Sequence, residues 1–206
     1  KDASLHIVVL EKGLLPTGAS TKNAGFACVG SLTEILDDLK HHTEQEVIDL
    51  MLLRKQGLEI LRKRLGDTNI AYLENGSYEL LFDKSDPCLQ ELDRINEMLF
   101  PLFEKNIFQV IDNEFGFSNK VEKVIESKAE GEIDTGKMMH ALLQKAYSIG
   151  IEVKTGFEVE EIIEKDNEVE IVNKKLTLKA KKVCVCTNAF TPKLFPEINL
   201  KPGRGQ

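Results

Sequence analysis

Glu11 is the first residue of this chain placed to do chemistry. The run before it, Leu5-His6-Ile7-Val8-Val9-Leu10, is nearly continuous in apolar and β-branched residues. Such a run predicts a strand buried on both faces of a parallel sheet. A carboxylate that ends a strand of this kind can accept hydrogen bonds from the ribose hydroxyls of a dinucleotide. Acidic residues end many strands, so the position decides nothing alone. Lys12 follows, and then a glycine-rich loop from Gly13 to Gly30 with small residues at most positions. Within it lies Gly18-Ala19-Ser20-Thr21-Lys22-Asn23-Ala24-Gly25.

The elements that must position these residues are legible in outline. From Thr43 to Leu65, Val47, Leu50, Met51, Leu58 and Leu61 recur at helical spacing, and Gly66 predicts the helix end. Ile70 to Glu74 and Ser77 to Phe82 read as strands joined by Asn75-Gly76, a strong hairpin signal. A helix is predicted from near Asp86-Pro87 to Phe103, then strands at Phe108 to Ile111 and Val121 to Glu126. Another helix is predicted from Thr135 to Ser148, closed by Gly150, with a strand at Ile151 to Lys154. Phe157 to Ile163, Val169 to Val172 and Leu176 to Leu178 form a β-meander, separated by Asp166-Asn167 and Asn173-Lys174 as turns. The last apolar run, Lys182 to Thr187, reads as a buried parallel strand.

Bulk composition closes off several function classes. The chain has 206 residues, 42% of them hydrophobic, with a formal net charge of -7. Lys and Arg are scattered, which argues against a nucleic-acid surface. No apolar run approaches the roughly 20 residues of a membrane span, so no transmembrane segment is predicted. The four cysteines, Cys28, Cys88, Cys184 and Cys186, form no C-x-x-C pair and read as reduced, mostly buried thiols of a cytoplasmic protein. The four histidines show no ligand spacing with them, and no metal site is predicted. Glu158, Glu160, Glu161 and Glu164 alternate with apolar residues and read as the exposed face of a strand.

The loop at Gly18–Gly25 resembles that of the D-amino-acid oxidase family, which includes glycine oxidase and sarcosine oxidase. The usual form is Gly-Ala-Ser, a small residue, Arg, Asn, Ala and Gly; here Thr21 and Lys22 depart from it mildly. Further segments match in order. Gly131-Glu132-Ile133-Asp134 and the following helix resemble the family's return to its FAD domain. Gly156-Phe157-Glu158-Val159 resembles the segment that meets the adenine. Val185-Cys186-Thr187-Asn188-Ala189-Phe190 resembles the strand beside the pyrophosphate, and Pro202-Gly203-Arg204-Gly205-Gln206 resembles the crossing back into the substrate domain.

The resemblance implies FAD as cofactor. It implies an α/β fold: a partial FAD-binding Rossmann-like domain with a β-meander crossover and an inserted α+β substrate domain. Residues 1–66 and 129–206 would form the first and residues 67–128 the second. The implied cofactor-binding residues are Glu11 and Lys12, then Ser20, Thr21, Asn23, Ala24 and Gly25 in the loop, and Val159, Thr187 and Asn188. Small side chains in the loop suit the close approach of a flat ring or a pyrophosphate. The implied reaction is oxidation of the C–N bond of an amino acid or secondary amine by hydride transfer to FAD. No catalytic residue is assigned.

The family's G-x-G-x-x-G turn stands roughly 20 residues before the acidic residue, and this sequence contains no such motif. The chain is therefore expected to be an internal fragment, inactive alone, that self-associates through exposed sheet edges. Two other readings stay open. One is a hydroxy-acid or polyol-phosphate oxidoreductase of the same superfamily. The other is a non-catalytic scaffold or interaction module.

Overall fold

The computed structural model describes residues 4–118 and 120–200. Along the chain these form β1 (Val8–Leu10), β2 (Phe26–Ala27), α1 (Leu32–Asp38), α2 (Glu44–Leu65), α3 (Asp67–Ile70), β3 (Ser77–Leu81), α4 (Cys88–Phe103), β4 (Phe108–Ile111), β5 (Lys123–Ser127), β6 (Gly131–Glu132), α5 (Thr135–Ser148), β7 (Glu152–Lys154), β8 (Glu161–Glu164), β9 (Val169–Val172) and β10 (Thr177–Ala180). Short 3-10 turns occupy Ala19–Thr21 and Asn188–Lys193. The Pro202–Gln206 segment lies outside the described residues.

The chain divides into two compact units. One comprises the residues up to Thr17 and those from Ala146 onward; the other is Gly18–Lys145.

In the first unit, β1 and β7 pair in parallel, Val8 with Glu152 and Leu10 with Lys154. The strand before Glu11 was expected to be buried on both faces. Instead Val8 is 39% and Val9 45% exposed, because β7 is the only strand paired with β1 among the described residues. β8, β9 and β10 form the expected antiparallel meander in that order. β8 begins at Glu161 rather than Phe157, because Phe157 N–H donates to Glu11 O and the Glu158 carbonyl accepts from Asn173 Nδ2, so neither joins the β9 ladder. Glu158, Glu160, Glu161 and Glu164 are exposed as expected, but only Glu161 and Glu164 lie on a strand; Glu158 and Glu160 precede it. Residues 182–187 form no strand, and Cys184 and Cys186 are exposed rather than buried. No strand partner among the described residues takes up their backbone.

The second unit holds the main hydrophobic core. α2 is capped by a reciprocal box in which Thr43 accepts from Glu46 N–H and the Glu46 carboxylate accepts from Thr43 N–H. Its Val47 and Met51, one turn apart, are buried against Leu32 and Ile35 of α1, and Ile95 and Leu99 of α4. The other wall is the three-stranded antiparallel sheet β3-β5-β4, which contributes Leu81, Ile125 and Phe108. Each such apolar side chain adds roughly 1.5–3 kcal/mol on burial. Asn96 of α4 is buried and bonded at both ends of its amide: its Oδ1 accepts from Ile107 and Phe108 N–H (both 3.0 Å) and its Nδ2 donates to Phe108 O (2.9 Å).

Two features of this unit depart from the sequence expectation. The Asn75-Gly76 hairpin does not form. Ile70 ends the helical turn α3, β3 pairs with β5, and Leu73 instead exchanges hydrogen bonds with Glu132. Gly76 still uses its left-handed freedom (φ +74°), but its N–H donates to Glu130 O. The second is α1, a helix at residues for which none was predicted. Ser31 caps it, accepting from Glu34 N–H at 3.3 Å. Of the four cysteines only Cys88 is buried; Cys28 is exposed, and all four are free.

Candidate functional site

Glu11 follows directly on β1, and its backbone extends the parallel ladder. Its N–H donates to Lys154 O and its carbonyl accepts from Phe157 N–H, both at 2.9 Å. The half-buried side chain turns back on its own strand end, where Oε1 accepts from Gly13 N–H at 2.8 Å. Among the described residues Oε2 has no protein donor. Gly13 O in turn accepts from Gly156 N–H at 2.9 Å, with Gly156 at φ +69°. A side chain at Gly13 would meet Leu15 O at 2.6 Å and the Glu11 carboxylate at 3.2 Å. Glycine is what lets the carboxylate settle on this amide.

Lys12 ion-pairs with Glu158 at 2.5 Å, and both side chains are largely exposed. The hydrogen bond from Lys12 holds the Glu158 carboxyl below its ordinary range, with Lys174 and Lys193 adding to the effect. Glu158 O accepts from Asn173 Nδ2 (2.5 Å) and Glu160 N–H donates to Val172 O (2.9 Å). Half-buried Val159 is thereby held between two fixed neighbours. Glu11, Lys12 and Val159 thus lie on adjoining, cross-linked segments. Thr187 and Asn188 open the 3-10 turn that carries Lys193; Thr187 Oγ1 lies 3.0 Å from Thr191 Oγ1, and Asn188 is left-handed at φ +44°.

The loop residues belong to the second unit. Ser20 and Thr21 sit on the Ala19–Thr21 turn; Ser20 is exposed, and Thr21 donates to Gly18 O through both N–H (3.0 Å) and hydroxyl (2.9 Å). Asn23 and Ala24 are exposed, and Gly25 is buried at φ +81°. The exit of this loop is tied to residues 130–135. Asn23 Oδ1 accepts from the Thr135 hydroxyl (2.9 Å), and Gly25 O accepts from Ile133 N–H (2.8 Å). Phe26 and Ala27 pair with Glu132 and Gly131. Glu130 Oε1 accepts from Val29 N–H (2.8 Å) and Gly30 N–H (2.9 Å).

Glu130 and Thr135 were not singled out from the sequence. Glu130 stands 101 residues from Val29, and no local pattern links positions so far apart. Among the described residues no group of three or more His, Cys, Asp or Glu side chains is arranged to hold a metal ion. No helix among them is long and apolar enough to cross a membrane.

A family profile described as FAD dependent oxidoreductase matches residues 2–206. The chain belongs to that family. Among solved structures, glycine oxidase from Geobacillus kaustophilus superposes with a TM-score of 0.66 at 20% identity, covering 95% of this chain and 52% of its own. L-amino acid deaminase from Proteus myxofaciens, in complex with anthranilate, gives 0.69 at 16% identity, covering 96% and 43%. Iminodiacetate oxidase from Chelativorans sp. BNC1 gives 0.68 at 17% identity, covering 96% and 53%. At such identities the likeness is one of fold: α/β, of the FAD-binding type. The chain spans about half the length of the solved structures it matches. A comparison with curated protein sequences found no match.

The family's cofactor is FAD. Its adenosine ribose is a hydroxyl donor, and Glu11 offers a carboxylate with one oxygen fixed by Gly13 and the other without a protein partner among the described residues. The Gly13 position, closed to any side chain, keeps that carboxylate in place. These residues fit the group.

Proposed function

We propose that this chain supplies one side of the FAD site of an oxidoreductase that oxidises the C–N bond of an amino acid or secondary amine. The observation that most supports the cofactor assignment is the Glu11 carboxylate, fixed on the Gly13 amide at the end of a parallel strand. The substrate class rests on the printed names of the neighbouring structures, which include a glycine oxidase, an L-amino acid deaminase and an iminodiacetate oxidase.

In this reading Glu11 accepts from the ribose hydroxyls, with Lys12 beside it countering Glu158. Val159 packs on the adenine. Ser20 and Thr21 offer hydroxyl groups, and Asn23, Ala24 and Gly25 a close-approaching backbone, to the phosphates or ribityl chain. Thr187 and Asn188 flank the pyrophosphate. When bound, FAD supplies the hydride acceptor. Residues 1–66 and 129–206 serve the cofactor and residues 67–128 the substrate. Packing units and ligand duties need not share boundaries, since α2 of the one packs on α4 of the other. A cytoplasmic setting, in keeping with four free thiols, and self-association through the edge of β1 belong to the same proposal.

The test is anaerobic titration of the FAD-loaded full protein with sarcosine, glycine, D-amino acids and, as controls, hydroxy acids. Bleaching of the flavin absorbance by an amine and not by hydroxy acids is expected. Bleaching by hydroxy acids alone would overturn the C–N assignment.

A further inference from the structure

Resting on the FAD reading above, we propose that Asn23 and Thr135 form a brace that sets the shape of the Gly18–Gly25 loop, so that the Asn23 side chain positions the loop and is not itself a ligand. Asn23 Oδ1 accepts two hydrogen bonds, from Gly25 N–H at 3.0 Å and from the Thr135 hydroxyl at 2.9 Å. Its Nδ2 donates to Ser20 O at 3.1 Å and, more weakly, to Ala19 O at 3.4 Å. A side-chain amide has two acceptor sites and two donors. All four are taken up inside the protein, across the start of the loop, its exit and the beginning of α5. A ligand could engage Asn23 only by breaking one of them.

The far anchor is independent of the loop. Thr135 is the first residue of α5, and Asp134 already caps that helix by accepting Lys137 N–H at 2.9 Å. The Thr135 hydroxyl is therefore free of capping duty. Its bond to Asn23 lies three positions beyond the Phe26–Glu132 end of the β2–β6 pairing, past the Gly25–Ile133 hydrogen bond. The exit of the loop is closely packed as well: a side chain at Gly25 would lie 2.3 Å from Ile133 O. With the Asn23 side chain spent, the exposed Ser20 and the exposed Ala24 backbone are the loop groups most open to a cofactor, ahead of the half-buried Thr21 and the buried Gly25.

The test compares Thr135→Val, Thr135→Ser and Asn23→Ala in the full protein. The readouts are the FAD dissociation constant and amide exchange at Gly25. Thr135→Val is nearly isosteric at a partly exposed position, so the fold should survive. It is expected to weaken FAD binding by about 3–10-fold and to speed Gly25 exchange by a similar factor, and Thr135→Ser is expected to restore both. If Thr135→Val leaves FAD affinity unchanged while Asn23→Ala lowers it, Asn23 is a direct ligand and the proposal falls. Unchanged Gly25 exchange in Thr135→Val would overturn the brace by itself. A wild-type protein that takes up no FAD would overturn the functional reading, a failure visible before any variant is made.

Discussion

The Glu130 carboxylate accepts the Val29 N–H at 2.8 Å across 101 residues of chain. The same oxygen takes Gly30 N–H at 2.9 Å, and the other oxygen takes the Ser77 hydroxyl. Glu130 is 3% exposed, so these donors replace the water it has lost. Glu130→Ala leaves two buried amides unpaired and is expected to cost about 3 kcal/mol of stability. Glu130→Gln, which keeps an acceptor for them, should cost less. Denaturant midpoints for the two variants check this; an Ala variant as stable as the wild type would contradict it.

Gly25 and Gly18 make a matched pair. Gly25 is left-handed and pressed against Ile133 O, whereas Gly18 has extended backbone and open space, with no atom within 4 Å of where a methyl group would stand. Gly25→Ala is expected to lose about 2 kcal/mol or more through strain, and Gly18→Ala to be nearly silent. Thermal melts of the two variants make the comparison, and equal losses would contradict it.

The thiols should react in a set order. Burial pushes the Cys88 thiol up to about 12, with Asp86 adding to it. Cys28, exposed as a residue, has a partly covered thiol that is also raised, first by that partial burial and then by Glu130 and Glu34. Cys184 and Cys186 are exposed. Since the thiolate is the nucleophile, alkylation at pH 8 followed by mass spectrometry should label Cys184 and Cys186 first, Cys28 later and Cys88 only on unfolding. Early labelling of Cys88 would contradict the packing of α4.

The Lys12–Glu158 pair should be lost in acid. Glu158 is held below its ordinary value in the folded state, so its contribution is present above about pH 4.3, the unfolded glutamate value, and fades as the pH falls through the lower folded value. Both partners are exposed, so the effect is small. Lys12→Met should therefore lower stability slightly at pH 6 and lose that difference in strong acid. A difference that grows on acidification would contradict the pairing.

The sequence disclosed those parts of the fold whose signals are local. The spacing of Val47, Leu50, Met51, Leu58 and Leu61 announces α2 and Gly66 its end, Gly150 closes α5, and Asp166-Asn167 and Asn173-Lys174 punctuate the meander. α1 also carries a local signal, Ser31 and Glu34 at capping spacing, which the glycine-rich run ending beside it obscures. The Asn75-Gly76 hairpin misleads because a turn propensity says nothing about the partner, and here Leu73 pairs with Glu132 while β3 pairs with β5. In the candidate site, Glu11 and the loop were legible through residue type and order. Glu130 and Thr135 were not, since their roles exist only once residues 23–30 lie beside 130–135.

The proposed hold of Glu11 on the adenosine side of FAD is tested most directly by the FAD affinity of Glu11→Ala in the full protein, with FMN, which lacks the adenosine, as a control. Loss of charge-assisted hydrogen bonds to the ribose should weaken FAD binding by roughly 10–100-fold and leave FMN binding unchanged. Equal FAD affinity in the variant and the wild type, or an equal loss for FAD and FMN, would contradict the account.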